Sequence, residues 1–135
     1  MREFLVGNTL TDSRQNGWIV GHFVAPDDPR HFQGLEVRHS FMKRGLAKSE
    51  FGEPVFAKTF WIVLSGRLRN EYIFPNGELV PVVCSENEYA IVAAGSRHRW
   101  EAQEDCEFIC VRWPSAPVLC AKVSSVTTAP FYGKW

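Results

Sequence analysis

The sequence predicts a single all-β domain, and three features carry this prediction. The chain has 135 residues, of which 45% are hydrophobic, enough for one core and too few for two typical domains. Glycine and proline interrupt the chain at short intervals, and the runs between them are rich in Val, Ile, Phe, Trp and Tyr. Such runs are typical of strands, and no stretch shows a convincing helical period. About eight short strands predict a sandwich or a closed barrel, since either buries the strand faces and limits exposed edges.

The predicted strands follow one another with regular turns between them. In chain order they are GWIVGHFVA (17–25), GLEVRHSFM (34–42), TFWIVLSG (59–66), RLRNEYIF (67–74), ELVPVVC (78–84), EYAIVAA (88–94), RHRWEA (97–102) and CEFICVRW (106–113). The firmest local prediction is a hairpin at Asn76 and Gly77, because this pair favours the positive φ angles of a tight turn between two apolar runs.

Charge and hydropathy exclude several kinds of partner. Fifteen basic and fifteen acidic residues give a formal net charge of +0, so no overall field draws the chain onto nucleic acid or an anionic membrane. The first residues lack a signal-peptide core, and no later run approaches the ~18 apolar residues that span a bilayer. We therefore expect a cytoplasmic protein whose partner is a small molecule or another protein, with no nucleic acid and no membrane.

The cysteines predict neither a zinc site nor a disulfide. They are Cys84, Cys106, Cys110 and Cys120, and no two form a C-x-x-C pair, the spacing of zinc and thioredoxin-type sites. If Cys106 and Cys110 share a strand, their Cα atoms lie roughly 13 Å apart, which is too far for a bridge. Free, packed thiols are expected.

In AAGSRHRWEA (93–102), Gly95 is followed three residues later by His98, and this spacing resembles a motif of the cupins, small jelly-roll barrels that hold a metal or an organic ligand inside. The second cupin motif, G-x5-P-x-G-x2-H-x3-N, is matched in AAGSRHRWEA (93–102) at Gly95 and His98. Its other positions hold Asn87 for the leading glycine, Ala93 for the proline and Ala102 for the asparagine. The ending CVRWPS is also similar to that of small single-domain bacterial cupins.

The first cupin motif, G-x5-H-x-H-x3-4-E-x6-G, is matched at its closing glycine, Gly66, and in the apolar strand before it. Thr59 stands in the place of the glutamate, and the paired histidines would fall in GEPV (52–55), which has none. Three of the four usual metal ligands are therefore absent, and we predict no metal and no other cofactor. An unusual site combining His98 with Glu53, Glu50 or His39 remains the alternative.

The resemblance implies a single-domain, cupin-type jelly-roll barrel, the double-stranded β-helix. Its core spans 34–115, after an N-terminal strand and loop at 1–33 and before a β-prone tail at 116–135. That tail ends in Phe131, Tyr132 and Trp135. Exposed aromatic residues at a terminus usually dock on the barrel or on a partner subunit. Because cupins commonly dimerise by pairing sheet edges, the resemblance also implies a homodimer.

Strand alternation predicts a ligand pocket around His98. His98 and Trp100 share one face of their strand. The charged residues Arg97, Arg99 and Glu101 share the other face, which should face solvent. By the same alternation Thr59, Trp61 and Val63 share a face, which the family's geometry places inside the barrel. Two tryptophans with a histidine between them suit an aromatic or otherwise flat apolar ligand. The alternative is that His98 is a hydrogen-bonded interior histidine and the tryptophans are core.

A second pair of candidates lies on the strand at 34–42. Either Arg38 or His39 should point inward, because the two faces of a strand in a small barrel cannot both contact solvent. An inward Arg38 needs a carboxylate or an anionic ligand. Glu36, on the same face, is the predicted partner and, with Arg38, a candidate acid/base and anchor. The alternative is that both are exposed.

Three functions remain open from the sequence. One is a metal-independent isomerase, cyclase or lyase acting on a small organic substrate, with His98 as the catalytic acid/base and Thr59, Trp61, Val63 and Trp100 shaping the pocket. Another is a sensor or carrier that binds such a ligand without converting it. The last is a metal-dependent cupin dioxygenase with unusual ligands.

Overall fold

The computed structural model describes residues 4–13 and 15–115, and this part of the chain is built of strands. They are β1 (Trp18–Val20), β2 (Glu36–Met42), β3 (Ala47–Lys48), β4 (Lys58–Ser65), β5 (Arg67–Ile73), β6 (Leu79–Ser85), β7 (Tyr89–Val92), β8 (Arg97–Ala102) and β9 (Cys106–Trp113). A single helical turn, α1 (Thr9–Asp12), and a 3-10 turn (Gln15–Gly17) precede β1. The side chain of Asn8 caps α1 by accepting a hydrogen bond from the backbone N–H of Leu10, a local signal that the search for helical periods missed.

The strands form two antiparallel sheets. One has the order β1-β2-β9-β4-β7 and the other the order β3-β8-β5-β6. Neighbours such as β2 and β9 are far apart in sequence, as expected when a chain alternates between two sheets. The prediction of an all-β fold of this kind is confirmed.

The observed strands overlap every predicted run, but one strand is shorter than predicted and one additional strand is present. β1 is shorter than the predicted run 17–25 because the chain turns at Gly21. The two-residue β3 was not predicted, since two residues are too few to show an alternating pattern.

The hairpin between β5 and β6 is confirmed, but its turn differs from the predicted one. Gly77 has a positive φ of 85°, whereas the φ angle of Asn76 is not positive. Pro75 fixes its own φ, and the Asn76 side chain accepts a hydrogen bond from the backbone N–H of Glu78. The loop therefore needs a left-handed residue only at the glycine.

Apolar side chains from both sheets close one end of the barrel. Val63 pairs with Phe108 in one sheet, and Leu68 pairs with Ala102 in the other. All four are buried in one core cluster. Gly66, the closing glycine of the motif, adopts φ +80°, and a Cβ there would lie 2.1 Å from the carbonyl oxygen of Asp105. This end of the barrel is packed solid, so any internal site lies toward the other end.

Some expectations fall outside the described residues, including the docking of the tail 116–135 and the state of Cys120. Within 4–13 and 15–115, no helix is long and apolar enough to cross a membrane.

Candidate functional site

Strand register brings polar side chains together at the open end of the barrel. In the first sheet, Glu36, Arg112 and Thr59 form one row across β2, β9 and β4. In the facing sheet, Tyr72 of β5 pairs with His98 of β8. Paired residues share a face of the sheet, so each row presents its side chains to the same side.

These rows line an internal cavity. It measures about 40 Å³ when counted as the space open to the centre of a water molecule, which is enough for a few waters or a small ligand group. The residues that line it are Arg38, Met42, Val55, Thr59, Trp61, Leu68, Asn70, Tyr72, Ser96, His98, Trp100, Phe108, Cys110 and Arg112. A compact polar group fits this space more readily than the aromatic or otherwise flat apolar ligand that the sequence suggested.

The structure places most predicted pocket residues at this cavity. His98, Trp100, Thr59, Trp61 and Arg38 all line it. Arg97 and Glu101, on the other face of β8, are exposed. The alternation of β8 therefore has the predicted orientation.

Two predicted pocket residues do not reach the cavity. Val63 shares the inward face of β4 but is 0% exposed within the closed core. Glu36 is inward and buried, yet its side chain is absent from the lining because it is bound to its neighbours. Val63 is therefore a core residue, and Glu36 acts on the site through the groups it binds.

His98 is half-buried in a positively charged environment. Its ring centroid is 6.0 Å from that of Tyr72. Burial, and then the positive charges of Arg112, Lys48 and Arg38, lower the pKa of His98 from 6.5 to about 3. The imidazole is therefore neutral at physiological pH, with one ring nitrogen that donates and one that accepts.

Tyr72 provides an oriented hydroxyl beside His98. The indole Nε1–H of Trp61 donates a hydrogen bond of 2.9 Å to the hydroxyl oxygen of Tyr72. Burial raises the pKa of Tyr72 well above 10, so the hydroxyl keeps its proton. A hydroxyl that accepts from Trp61 has its own proton to donate.

Two guanidinium groups enter the cavity from β2 and β9. Nε of Arg38 donates to the carbonyl oxygen of Asn16 at 2.7 Å and to Oγ of Ser40 at 2.8 Å. Its guanidinium lies 5.2 Å from the ring centroid of Phe108, and burial lowers the pKa of Arg38. Arg112 lies over the ring of Trp18, 5.1 Å from its centroid.

The predicted pairing of Glu36 with Arg38 is replaced by a different cluster. Glu36 lies 3.7 Å from Nη1 of Arg112 and accepts a 2.9 Å hydrogen bond from the hydroxyl of Ser115. Ser115 also lies 2.7 Å from Nδ1 of His22. Arg112 is the cross-strand neighbour of Glu36, whereas Arg38 stands farther away along the same strand.

His39 faces away from the cavity. Its Nε2 lies 2.7 Å from a carboxylate oxygen of Glu107, and its Nδ1 lies 2.8 Å from the hydroxyl oxygen of Thr9. Of Arg38 and His39, it is therefore Arg38 that points inward. Glu50 and Glu53 are exposed.

The sequence prediction omitted several residues that line the site. Leu68, Asn70 and Tyr72 occupy every second position of β5 and so share its inward face. This spacing is visible in the sequence. Ser96 precedes His98 in the matched motif and is buried. Nothing in the sequence singles out Arg112, because its neighbours in the sheet are not visible there.

The cavity residues do not fit a metal ion. In the described part of the chain, no group of three or more His, Cys, Asp or Glu side chains is close enough to hold one. Around His98 stand two guanidinium groups, which repel a cation. Cys110 lines the cavity too, but burial raises the pKa of its thiol and disfavours the thiolate that metals bind.

The three cysteines of the described residues are packed thiols. Cys84, Cys106 and Cys110 are buried and free. Burial raises the pKa of each of them, which is the property of an inert thiol.

Comparison with known proteins identifies the fold. Solved structures of Bacillus subtilis oxalate decarboxylase, one of them determined to study its Mn(II) centres, match at 19% identity with a TM-score of 0.55. A formate complex of Lactobacillus farciminis oxalate decarboxylase matches at 19% with a TM-score of 0.54. The matches cover 62% of this chain but only 22% and 24% of those chains. No family model and no curated protein matches. The chain therefore has the jelly-roll fold of the cupin type, and it spans less than a quarter of the length of these structures.

Proposed function

We propose that this protein belongs to the small single-domain cupins and binds a small organic ligand in its barrel, acting on it without a metal and with His98 as the acid/base. The supporting observation is that one neutral imidazole and several hydrogen-bonding groups converge on a cavity walled by Trp61 and Trp100. A cavity with a few convergent polar groups and a strongly shifted titratable group is the usual form of a binding or active site.

The chemistry of His98 favours proton transfer. Isomerisation, cyclisation and elimination each require a proton to be moved at a defined atom, and a neutral imidazole can accept it. With a pKa of about 3 in the free protein, His98 is a weak base until a ligand offsets the surrounding positive charge. Catalysis by His98 therefore depends on the ligand that shares its cavity.

A second candidate function is ligand binding without conversion. The same low pKa of His98 favours it, because a base this weak accepts protons poorly near neutral pH. A metal-dependent dioxygenase is the least supported reading, since the lining carries guanidinium groups and a single imidazole.

A ligand screen followed by His98→Gln separates these functions. The ¹⁵N-labelled chain is titrated with small anionic, neutral and cationic organic compounds, and each compound that shifts cavity resonances is incubated with the protein and followed by ¹H NMR. Conversion that His98→Gln abolishes supports the enzyme. Binding without conversion supports the carrier, and no binding by any class overturns both.

Metal analysis of protein purified without chelators tests the metal-independent part of the proposal. We expect less than one metal ion per ten chains. Stoichiometric iron, manganese, nickel or zinc, lost together with ligand conversion on chelation, contradicts the proposal.

We also propose that the protein is a homodimer. β7 is an edge strand of its sheet, and its outward residues Tyr89 and Ile91 are exposed. Exposed apolar side chains on an unpaired edge favour association. Sedimentation analysis should give twice the chain mass for the wild type and the mass of one chain for Ile91→Lys; a wild-type monomer contradicts the proposal.

A further inference from the structure

We propose that the barrel cavity selects a small organic carboxylate, held by the guanidinium of Arg112 with Arg38 as a second positive anchor. This inference rests on the proposed function, because it names the ligand class of the same cavity. It is argued from charge, from an unfilled hydrogen-bond donor and from size.

The charge of the cavity favours an anion. Arg38 and Arg112 both line it, and no described lining residue is an aspartate or a glutamate. The nearest carboxylate, Glu36, lies 3.7 Å from Arg112. Arg38 has no carboxylate within ion-pair distance among residues 4–13 and 15–115. With His98 neutral, the two guanidinium groups and Glu36 leave one net positive charge inside the barrel, which a monoanion would balance.

Arg112 has a hydrogen-bond donor without an acceptor. Its Nε–H is buried and has no hydrogen-bond partner in the part of the chain that the structure describes. A buried donor left unpaired is costly, and a charged one more so. A guanidinium presents its donors in a planar fork that matches the two oxygens of a carboxylate. A ligand carboxylate would match the charge and the fork of Arg112, and its pairing with Nε requires the guanidinium to turn toward the cavity, because Nε is closed to water in this structure.

Arg38 is held in place by neutral oxygens. Its Nε–H donates to the carbonyl oxygen of Asn16 and to the hydroxyl of Ser40. The oxygens that hold it are neutral, so they orient the guanidinium without cancelling its charge. Arg38 is thus a fixed positive charge at the cavity wall.

Neutral donors complete the site. Thr59 is the cross-strand neighbour of Arg112 on β4, and both line the cavity. Tyr72 carries a protonated hydroxyl that accepts from Trp61. These hydroxyls give the cavity further donors for the oxygens of a carboxylate.

Cavity size limits the ligand to a small group, and charge balance favours a carboxylate over a phosphate. The space accommodates a group of a few heavy atoms. A planar monoanion matches one net positive charge, whereas the second charge of a phosphate near neutral pH would be left unbalanced.

Matched pairs of ligands test this inference. Acetate and propionate are compared with acetamide and propionamide, which have nearly the same shape and no charge, in NMR titrations of the ¹⁵N-labelled chain at constant ionic strength. We expect the carboxylates to bind at least about tenfold more tightly than their amides, the worth of one charge-assisted hydrogen bond. Inorganic phosphate is titrated in parallel and should bind more weakly than acetate.

Two substitutions of Arg112 locate the binding site. Arg112→Gln should weaken acetate binding about ten- to a hundredfold. Arg112→Lys keeps the positive charge but lacks the fork, so it should weaken binding less than Arg112→Gln while preserving the pairing with Glu36. The control is Arg97→Gln, which removes an exposed positive charge from the outward face of β8 and should leave the affinity unchanged.

A second readout follows the imidazole of His98. A bound carboxylate offsets Arg112 and Arg38 and should raise the pKa of His98 by at least one unit, whereas an amide should not. Equal binding of acetate and acetamide, tighter binding of phosphate, or acetate binding that both Arg112 variants retain overturns the inference but leaves the proposed function standing if neutral ligands occupy the cavity. If no compound of any charge class binds, the proposed function itself fails.

Discussion

Protonation of His98 should make the stability of the ligand-free protein fall as the pH falls below neutrality. The folded-state pKa of His98 is lowered from 6.5 to about 3, mainly by burial and then by nearby positive charges. Below pH 6.5 the unfolded chain takes up a proton at this residue, and the folded chain does not until about pH 3. The stability contributed by the neutral imidazole is therefore fully present above pH 6.5 and is lost between pH 6.5 and about 3.

The size of this effect follows from the pKa difference. Each pH unit inside the window costs about 1.4 kcal/mol. Between pH 7 and pH 5, His98 should therefore account for about 2 kcal/mol of the loss of unfolding free energy, or roughly 1 M in the urea midpoint.

Urea unfolding at pH 7 and pH 5, followed by tryptophan fluorescence, measures the effect. His98→Gln should lose about 2 kcal/mol less than the wild type between these two pH values. Because the comparison is made within each protein, a uniform change in the stability of the variant cancels. Arg97→Gln, on the outward face of the same strand, tests whether any substitution in β8 alters the pH dependence. If wild type and His98→Gln lose the same free energy, His98 is not buried in its neutral form and the reasoning fails.

Three further predictions concern the packing around the site. Glu36→Gln should cost about 2–4 kcal/mol of unfolding free energy, because it leaves the charge of Arg112 beside a neutral amide. In an Arg112→Gln background the same change should cost under about 1 kcal/mol. Equal costs in both backgrounds would refute the pairing. Tyr72→Phe should cost about 1–3 kcal/mol in urea unfolding, since it removes the acceptor of a buried indole N–H; a neutral effect would contradict that hydrogen bond. Val63→Ala should cost about 2 kcal/mol by calorimetry, whereas Val83→Ala on the exposed outer face of β6 should cost under about 1 kcal/mol; similar costs would mean that the core is not closed at Val63.

Local patterns were enough to predict the strands and the orientation of the candidate histidine. Alternation along RHRWEA separates His98 and Trp100 from Arg97 and Arg99 whichever strands lie alongside, because successive side chains of a strand point to opposite faces. The position of the hairpin turn and the positive φ of Gly77 were predictable because they depend on the residues of the turn itself, whereas the positive φ predicted for Asn76 is wrong. The motif match at Gly66 and His98 led to the cupin-type fold that the structural comparison supports.

The charged part of the site was decided by the tertiary structure. Sequence alone paired Glu36 with Arg38 because they share a face of one strand, but such neighbours stand roughly 7 Å apart, whereas directly opposed residues on paired strands stand about 5 Å apart. The pairing of β2 with β9 places Arg112 opposite Glu36, and this leaves Arg38 to be held by neutral oxygens. The sequence by itself determined which faces of its strands are apolar. Only the tertiary structure decided that two arginines meet at one cavity, because strand pairing joins residues whose distance along the chain carries no information about their distance in space.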